Sequence, residues 1–385
     1  MIIVADENIP YVREAFGAIG EVRTIAGRVI NRDAVRDAEL LLVRSITRVD
    51  RALLDGSRVR FVATATIGED HIDRAFLDER NIGFASAPGS NADSVAEYVV
   101  AGLLRVSLHT GRSLRGATLG IVGVGNVGGR VRRAAEALGM TCVLNDPPLQ
   151  RKTGSQAYRP LEDALACDYV TLHVPLNREG RDATHHLLNR ERLDALRPGA
   201  TLINTSRGPV VDNVALEAAL ASDRLGPCVL DVWEGEPRVR PGLLERVLIG
   251  TPHIAGYSFD GKVNGTRQIY EAACAFLGRP PAWDPKPLLP KPDVEAIDLA
   301  GIAGADRIEA TLAAVVEPIY DIRADDAALR KVLRLPEAEQ GPYFDRLRKE
   351  YPRRREFTNT RILGAAAHPE AARILHGLRF RVEGL

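Results

Sequence analysis

Gly123-Val124-Gly125-Asn126-Val127-Gly128 has the GxGxxG spacing, and the residues on either side supply the elements such a loop needs. Thr118 to Val122 (TLGIV) is a short apolar run suited to a buried parallel strand. After the loop, Val127, Val131, Ala134 or Ala135 and Leu138 recur at helical spacing until Gly139, a helix stop. A second apolar run, Met140 to Leu144, closes on Asn145-Asp146 and completes a βαβ unit. Glycines at 123, 125 and 128 let the backbone approach a pyrophosphate. The helix that starts around Asn126 and Val127 offers free N–H groups and a partial positive charge. Asp146 lies about 20 residues beyond the loop, where a carboxylate accepts the adenosine ribose hydroxyls and repels a 2′-phosphate. NAD is therefore the expected cofactor in preference to NADP, with Arg151 and Lys152 weighing on the other side.

At 385 residues the chain exceeds what one core normally holds, so two or three domains are expected. Lys plus Arg equals Asp plus Glu at 51 each, and this balance gives no field to recruit nucleic acid or an anionic membrane. A small-molecule partner is expected instead. MIIVADENIP enters a strand-like run directly, without the basic start and long apolar segment of a signal peptide, so a cytoplasmic protein is expected. No run reaches the roughly 20 apolar residues of a membrane span. Cys142, Cys167, Cys228 and Cys274 are scattered with no CxxC pair, which indicates neither a disulfide framework nor a metal site and suggests buried small hydrophobes.

The first 90 residues alternate apolar strand-like runs (Ile2 to Ala5, Leu40 to Val43, Phe61 to Thr64, Ile82 to Ala85) with helical ones, as a small parallel α/β layer does. One long amphipathic helix is expected from Ala92 to about His109, leading into the nucleotide domain near Thr118. Runs at Tyr169 to His173, Ala200 to Asn204 and Cys228 to Val232 extend that domain's sheet. Six prolines between Pro280 and Pro292 exclude a regular helix or central strand and read as a linker. Beyond it lies a third domain with a dense basic stretch: Arg346, Arg348, Lys349, Arg353, Arg354 and Arg355. Such a run is a solvated face, a dimer contact or a site for an anion.

Three further segments each follow an expected strand, where open α/β sheets place their ligand crevice. They are Asn204-Thr205-Ser206-Arg207-Gly208, Asp231-Val232-Trp233-Glu234-Gly235-Glu236-Pro237, and Thr251-Pro252-His253-Ile254-Ala255-Gly256-Tyr257. Oxidising a 2-hydroxy acid requires a base for the hydroxyl proton, and an imidazole oriented by a carboxylate suits that role, so His253 and Glu236 fit. It also requires a fixed cation for the substrate carboxylate, and a guanidinium fork such as that of Arg207 provides one.

GIVGVGNVG, LINTSRGPVVDNVAL, VLDVWEGEP and TPHIAGYS together resemble the signature segments of the D-isomer-specific 2-hydroxyacid dehydrogenases. The resemblance implies a Rossmann-type nucleotide domain inserted in a flavodoxin-like substrate domain. It implies that Arg207, Glu236 and His253 are catalytic, and that Asp231 contacts the nicotinamide carboxamide. Val174 and Gly256 fall where the family contacts NAD through the backbone, although this chain reads HVPL at 173–176 where HTPL is expected.

VADENIPYVREAFG, LLVRSITRVD, FVATATIGEDHID, NDPP, PHIAGYSFDGKVNGT and the C-terminal EPIYDIRADDAALR and YFDRLRKEYPRRREF are similar to one branch of that family. That branch oxidises a small phosphorylated four-carbon 2-hydroxy acid on the way to pyridoxal phosphate and adds a C-terminal α+β dimerisation domain. Its substrate-binding Ser, Thr and Tyr fall on Ser45, Thr66 and Tyr257, and Arg44 is close enough in sequence to help hold a phosphate.

The implied division is 1–95 with 255–280 for substrate, 96–254 for NAD and 281–385 for homodimerisation, with a hinge between the first two. A phosphoglycerate or hydroxypyruvate dehydrogenase would keep the same catalytic residues. An NAD-sensing binding protein on the same fold is the reading from another class.

Overall fold

Short β-branched and aliphatic runs, each separated from the next by a helix, have one economical solution: parallel strands with helices packed against the sheet. The computed structural model describes residues 1–302 and 306–385 and takes that solution twice, in two units: 1–91 with 258–290, and 92–257 with 291–385.

In the first unit β1 (Ile2–Asp6), β2 (Glu21–Ile25), β3 (Leu40–Val43), β4 (Phe61–Thr64) and β5 (Gly83–Ala85) form a parallel sheet in the order β2-β1-β3-β4-β5. This is the flavodoxin-like order, with its reversal between β1 and β3. The central strands are buried on both faces and therefore read as continuous apolar runs. β2 gives no such signal because it is an edge strand, and EVRTI leaves half of itself to solvent. The helix Phe259–Phe276 returns to this unit and packs Ile269, Tyr270, Ala273 and Cys274 into its core.

The proline-rich stretch expected as a linker stays pinned to the first unit as far as Pro290. The Tyr270 hydroxyl accepts from the Ala282 and Trp283 N–H groups, the Trp283 ring meets Tyr270 edge-on, and the Tyr11 hydroxyl donates to the Leu288 carbonyl. Proline removes backbone donors, so the tyrosines bond to what the other residues of the stretch leave: the N–H groups of Ala282 and Trp283 and the carbonyl of Leu288.

In the second unit β6 (Thr118–Val122), β7 (Thr141–Asn145), β8 (Tyr169–Leu172), β9 (Thr201–Asn204), β10 (Val229–Leu230) and β11 (Ile249–Gly250) run parallel in the order β11-β10-β9-β8-β6-β7. A parallel bridge from Leu144 to Tyr158 continues the sheet past β7. The result is a doubly wound Rossmann-type sheet whose order reverses between β6 and β8, the place where such sheets bind nucleotides. The helix Ala92–Thr110 is buried along most of its length.

Residues 291–385 add a three-stranded parallel sheet, β12 (Ala296–Asp298), β13 (Arg361–Leu363) and β14 (Arg381–Val382), with helices around it. They share one apolar core with the helices Ala92–Thr110 and Asn126–Ala137, through Leu312, Val315, Phe357, Leu375 and Phe380 among others. At about 1.5–3 kcal/mol for each such side chain fully buried, this shared core holds the C-terminal residues firmly to the nucleotide-binding sheet. Among the described residues no helix is long and apolar enough to cross a membrane.

Candidate active site

The glycine loop joins β6 to the helix Asn126–Ala137, and each of its glycines answers a different steric demand. Gly123 has φ +88°, and a Cβ there would lie 2.7 Å from the His173 carbonyl oxygen and 2.9 Å from Val174 Cγ1. A Cβ on Gly128 would lie 2.0 Å from the Gly123 carbonyl oxygen, so only glycine lets the helix sit on the loop. A Cβ on Gly125 would meet nothing within 4 Å: this glycine faces open space, the cradle a pyrophosphate needs. The helix has no side-chain N-cap, which leaves its first-turn N–H groups, at Asn126 and Val127, for an anion.

Asp146 stands at the end of β7. Its Oδ2 accepts from the Val124 N–H at 2.8 Å, and its Oδ1 caps the helix Pro147–Thr153 through the Leu149 N–H at 2.9 Å. Each oxygen keeps a further lone pair for a ribose hydroxyl. Val174, after β8, packs its side chain into the core below, so the valine in HVPL leaves only its backbone for a ligand.

These contacts separate two substitutions. Gly128→Val is expected to unfold or strongly destabilise the second unit, by more than the 1–3 kcal/mol usual for overpacking, because its first added atom already overlaps backbone. Gly125→Val is expected to leave the melting temperature within a degree or two and raise the Kd for NAD at least tenfold. Thermal melts beside NAD titration check both.

Arg207, Glu236 and His253 follow β9, β10 and β11, three neighbouring strands of this sheet. Asn204 shapes the arginine turn: its Oδ1 accepts from the Ser206 N–H and hydroxyl, and its Nδ2 donates to the Arg207 carbonyl. The guanidinium Nη1 donates to the Ser206 carbonyl at 2.8 Å. A Cβ on Gly208 would fall 2.0 Å from the Trp233 carbonyl, so the arginine and glutamate loops touch at their backbones. Trp233 is fully buried and its indole donates to the Thr251 carbonyl, which ties in the histidine loop.

Across these loops His253 Nδ1 meets Glu236 Oε2 at 2.8 Å, while Glu236 Oε1 accepts from the Trp233 N–H at 2.8 Å. Burial alone would raise the Glu236 carboxyl; the adjacent His253 and the Trp233 N–H outweigh it and hold the group below the ordinary carboxylate range. His253 itself has φ +57°, a left-handed conformation uncommon outside glycine. Asp231 is buried beside it, accepting from the Thr251 hydroxyl (2.6 Å) and the Ile254 (2.7 Å) and Ala255 (2.9 Å) N–H groups, and accepting the His253 N–H on its own carbonyl. Gly256 and Tyr257 close the turn, with the Tyr257 N–H bonded to the Ile254 carbonyl.

Ser45 and Thr66 lie in the first unit, just past the carboxyl ends of the paired strands β3 and β4. Ser45 is exposed, and the Thr66 hydroxyl pairs with that of Thr64 at 2.7 Å. In the same unit the Lys262 ammonium is pushed down to about 8, first by burial and then by Arg44. Nothing in the sequence marks Lys262, since a lysine in the first turn of a helix carries no pattern.

The basic stretch is a solvated face only in part: Arg346, Lys349 and Arg353 are exposed and Arg348 is half-buried. Arg354 and Arg355 are buried, and Arg354 donates to Glu97 at 2.7 Å and to the Ser94 hydroxyl at 2.6 Å, with its guanidinium 4.2 Å over the Tyr320 ring. Ser94 in turn donates to the Ala255 carbonyl, and Tyr98 pairs with Thr251 at 2.7 Å, so the C-terminal residues stand behind the histidine loop.

Nearby, the Tyr351 hydroxyl donates to Asp325, whose carboxyl burial pushes up to about 6 against that hydrogen bond. A raised folded pKa means that the fold favours the protonated form, so stability from this group is full below pH 4 and lost as pH rises through about 6. Asp325→Asn is therefore expected to be more stable than wild type by about 1–3 kcal/mol at pH 8 and no more stable at pH 4, read by urea unfolding at both.

Residues 91–255 match the D-isomer specific 2-hydroxyacid dehydrogenase NAD binding domain, and residues 288–376 match a domain of unknown function (DUF3410). Over 365 residues, the chain is 49% identical to an erythronate-4-phosphate dehydrogenase of Marinobacter nauticus, with 94% of each chain covered. It is 46% identical to one of Pseudomonas fluorescens, covering 98% of this chain and 99% of the other.

The chain belongs to the erythronate-4-phosphate dehydrogenase family. It is thus an NAD-dependent oxidoreductase, and the glycine loop falls inside the matched NAD-binding residues. The family's fold is shared more widely: the NAD-bound 3-phosphoglycerate dehydrogenase of Entamoeba histolytica is 26% identical with a TM-score of 0.62, covering 95% of that chain but 72% of this one. More than a quarter of this chain thus lies outside the likeness to that relative.

Proposed function

We propose that this protein oxidises 4-phospho-D-erythronate to (R)-3-hydroxy-2-oxo-4-phosphooxybutanoate with NAD, in pyridoxal 5′-phosphate synthesis, in the cytoplasm. The observation that carries the chemistry is the His253–Glu236 pair at 2.8 Å, at the mouth of an NAD-binding sheet and one loop from Arg207.

Glu236 accepts from Nδ1–H and so leaves Nε2 as the lone-pair nitrogen facing a substrate hydroxyl. Nε2 takes the C2 hydroxyl proton while the carbinol carbon becomes a ketone. NAD, when bound, supplies the acceptor for the C2 hydride. Arg207 binds the carboxylate and steadies the negative charge that grows on the C2 oxygen as its proton leaves. Ser45, Thr66 and Tyr257 bind the substrate's hydroxyl chain and phosphate, with Arg44 and Lys262 favouring an anion. Gly123, Gly125, Asn126, Val127, Gly128, Asp146, Val174, Asp231 and Gly256 bind the cofactor, which the open cradle at Gly125 fits.

The same reading makes 1–95 with 255–280 the substrate domain, 96–254 the NAD domain and 281–385 a homodimerisation domain. A mass of about two chains by light scattering supports the last, and a monomer excludes it.

The test is NADH fluorescence with NAD and either 4-phospho-D-erythronate or 3-phosphoglycerate. Preference for the four-carbon acid supports the proposal, preference for phosphoglycerate transfers it to that class, and no turnover with either favours an NAD sensor. Because the base must be neutral to accept a proton, the oxidative rate is expected to rise with pH between 6 and 9. A flat profile with chemistry limiting excludes His253 as that base.

A further inference from the structure

The helix Glu337–Lys349, from the C-terminal segment, lies along the catalytic loop of its own unit. One face of it presents Gly341, Phe344 and Arg348, at helical spacing. A Cβ on Gly341 would come within 3.3 Å of Pro237, the residue after Glu236, and Phe344 is buried in the core beneath. Arg348, one turn on, holds its guanidinium 5.8 Å from the Tyr257 ring centre and is hydrogen-bonded to Tyr257. The Glu236 carboxylate feels its charge. Its Nε is closed off from solvent and has no hydrogen-bond partner among the described residues. Tyr257 is itself wedged edge-on against Tyr351, which leaves it little freedom to turn away.

A half-buried guanidinium held by Tyr257 and fixed beside the reacting histidine's partner offers a charged donor fork to an oxyanion. The substrate has two anionic ends, and Arg207 answers one of them. We propose that Arg348 binds the phosphate end of the substrate, so that the C-terminal segment supplies a specificity-determining residue to the active site of its own chain. This rests on the assignment of His253 and Glu236 to the reacting end of the site and of Tyr257 to the substrate's hydroxyl chain and phosphate.

The experiment compares wild type, Arg348→Met and Arg348→Lys with 4-phospho-D-erythronate and with D-erythronate, each with NAD, over pH 6 to 9. D-erythronate is assayed as a competitive inhibitor where its turnover is slow. Arg348→Met is expected to raise KM for the phosphorylated acid 10- to 100-fold, to leave D-erythronate binding and the shape of the pH profile unchanged, and to be partly rescued in Arg348→Lys. Equal losses with both acids, or a shifted pH profile, would show that Arg348 acts by positioning Glu236 and would overturn the proposal. Wild-type KM in Arg348→Met would overturn it too. If Arg348→Met fails to fold, the comparison of the two acids in Arg348→Lys decides. Failure of the wild type to oxidise 4-phospho-D-erythronate overturns the reaction assignment instead, and this inference with it.

Discussion

His253→Ala is expected to lower kcat for 4-phospho-D-erythronate oxidation by about 10²- to 10⁴-fold while the Kd for NAD changes less than twofold. The size follows from the chemistry, because without the imidazole no positioned base takes the proton of the C2 hydroxyl. The selectivity follows from the geometry. The glycine loop and Asp146 make none of their contacts through His253, and the histidine loop is independently fixed by Trp233, Thr251 and Asp231. Alanine also relieves little, since residue 253 keeps φ +57° whatever its side chain. Glu236→Gln is expected to cost less, because an amide oxygen can still accept from Nδ1–H and orient the ring, though without charge to steady the protonated imidazole. Equal activity in His253→Ala and wild type, with hydride transfer shown to be limiting, would remove the base assignment.

The second large effect is on stability. Arg354→Ala is expected to destabilise the second unit by about 3–5 kcal/mol at pH 7, because it leaves a buried carboxylate without its counter-ion. Glu97 sits in the helix Ala92–Thr110, 8% exposed, and burial pushes its carboxyl upward against the pull of Arg354 and of the Phe357 N–H at 2.7 Å. Stripped of the guanidinium, the group takes up a proton, so the deficit should shrink as pH falls from 8 toward 5. Replacing both partners, as Glu97→Leu with Arg354→Met, should recover most of the loss, since well-packed apolar groups substitute for a buried pair at little net cost. Urea unfolding of the single and double variants reads all three statements. A single variant within 1 kcal/mol of wild type would show that the pair contributes little.

The parts of this molecule legible in its sequence are those where one chemical demand fixes residue types at short spacing. The glycine loop is such a case, because Gly123 and Gly128 are required by backbone contacts within about 50 residues of chain and Gly125 keeps the space between them open. The arginine, glutamate and histidine turns are another, and the structure brings the last two into contact across the ends of β10 and β11. The edge strand Glu21–Ile25 and the two-residue β11 escape such reading because short or half-exposed strands have no distinctive pattern. The basic stretch is open, on sequence, between a solvated face, a dimer contact and an anion site. What decides it lies far away in sequence: Glu97 and Ser94 for Arg354, and Tyr257 for Arg348. Charge patterning reports how many cations a segment carries, but the acids or rings that meet them are set by tertiary packing.

The Asp146 carboxylate sits where a redesign of cofactor choice would begin, since on the proposed assignment it is the group that turns away a 2′-phosphate. It is also the latch that fastens Val124 of the phosphate loop and the cap that starts the helix Pro147–Thr153. An engineer who exchanges it for a neutral or basic residue alters preference, loop rigidity and helix initiation in one stroke. Conversion to NADP would have to reinstall the latch and the cap with other side chains before any new arginine could be judged on its merits.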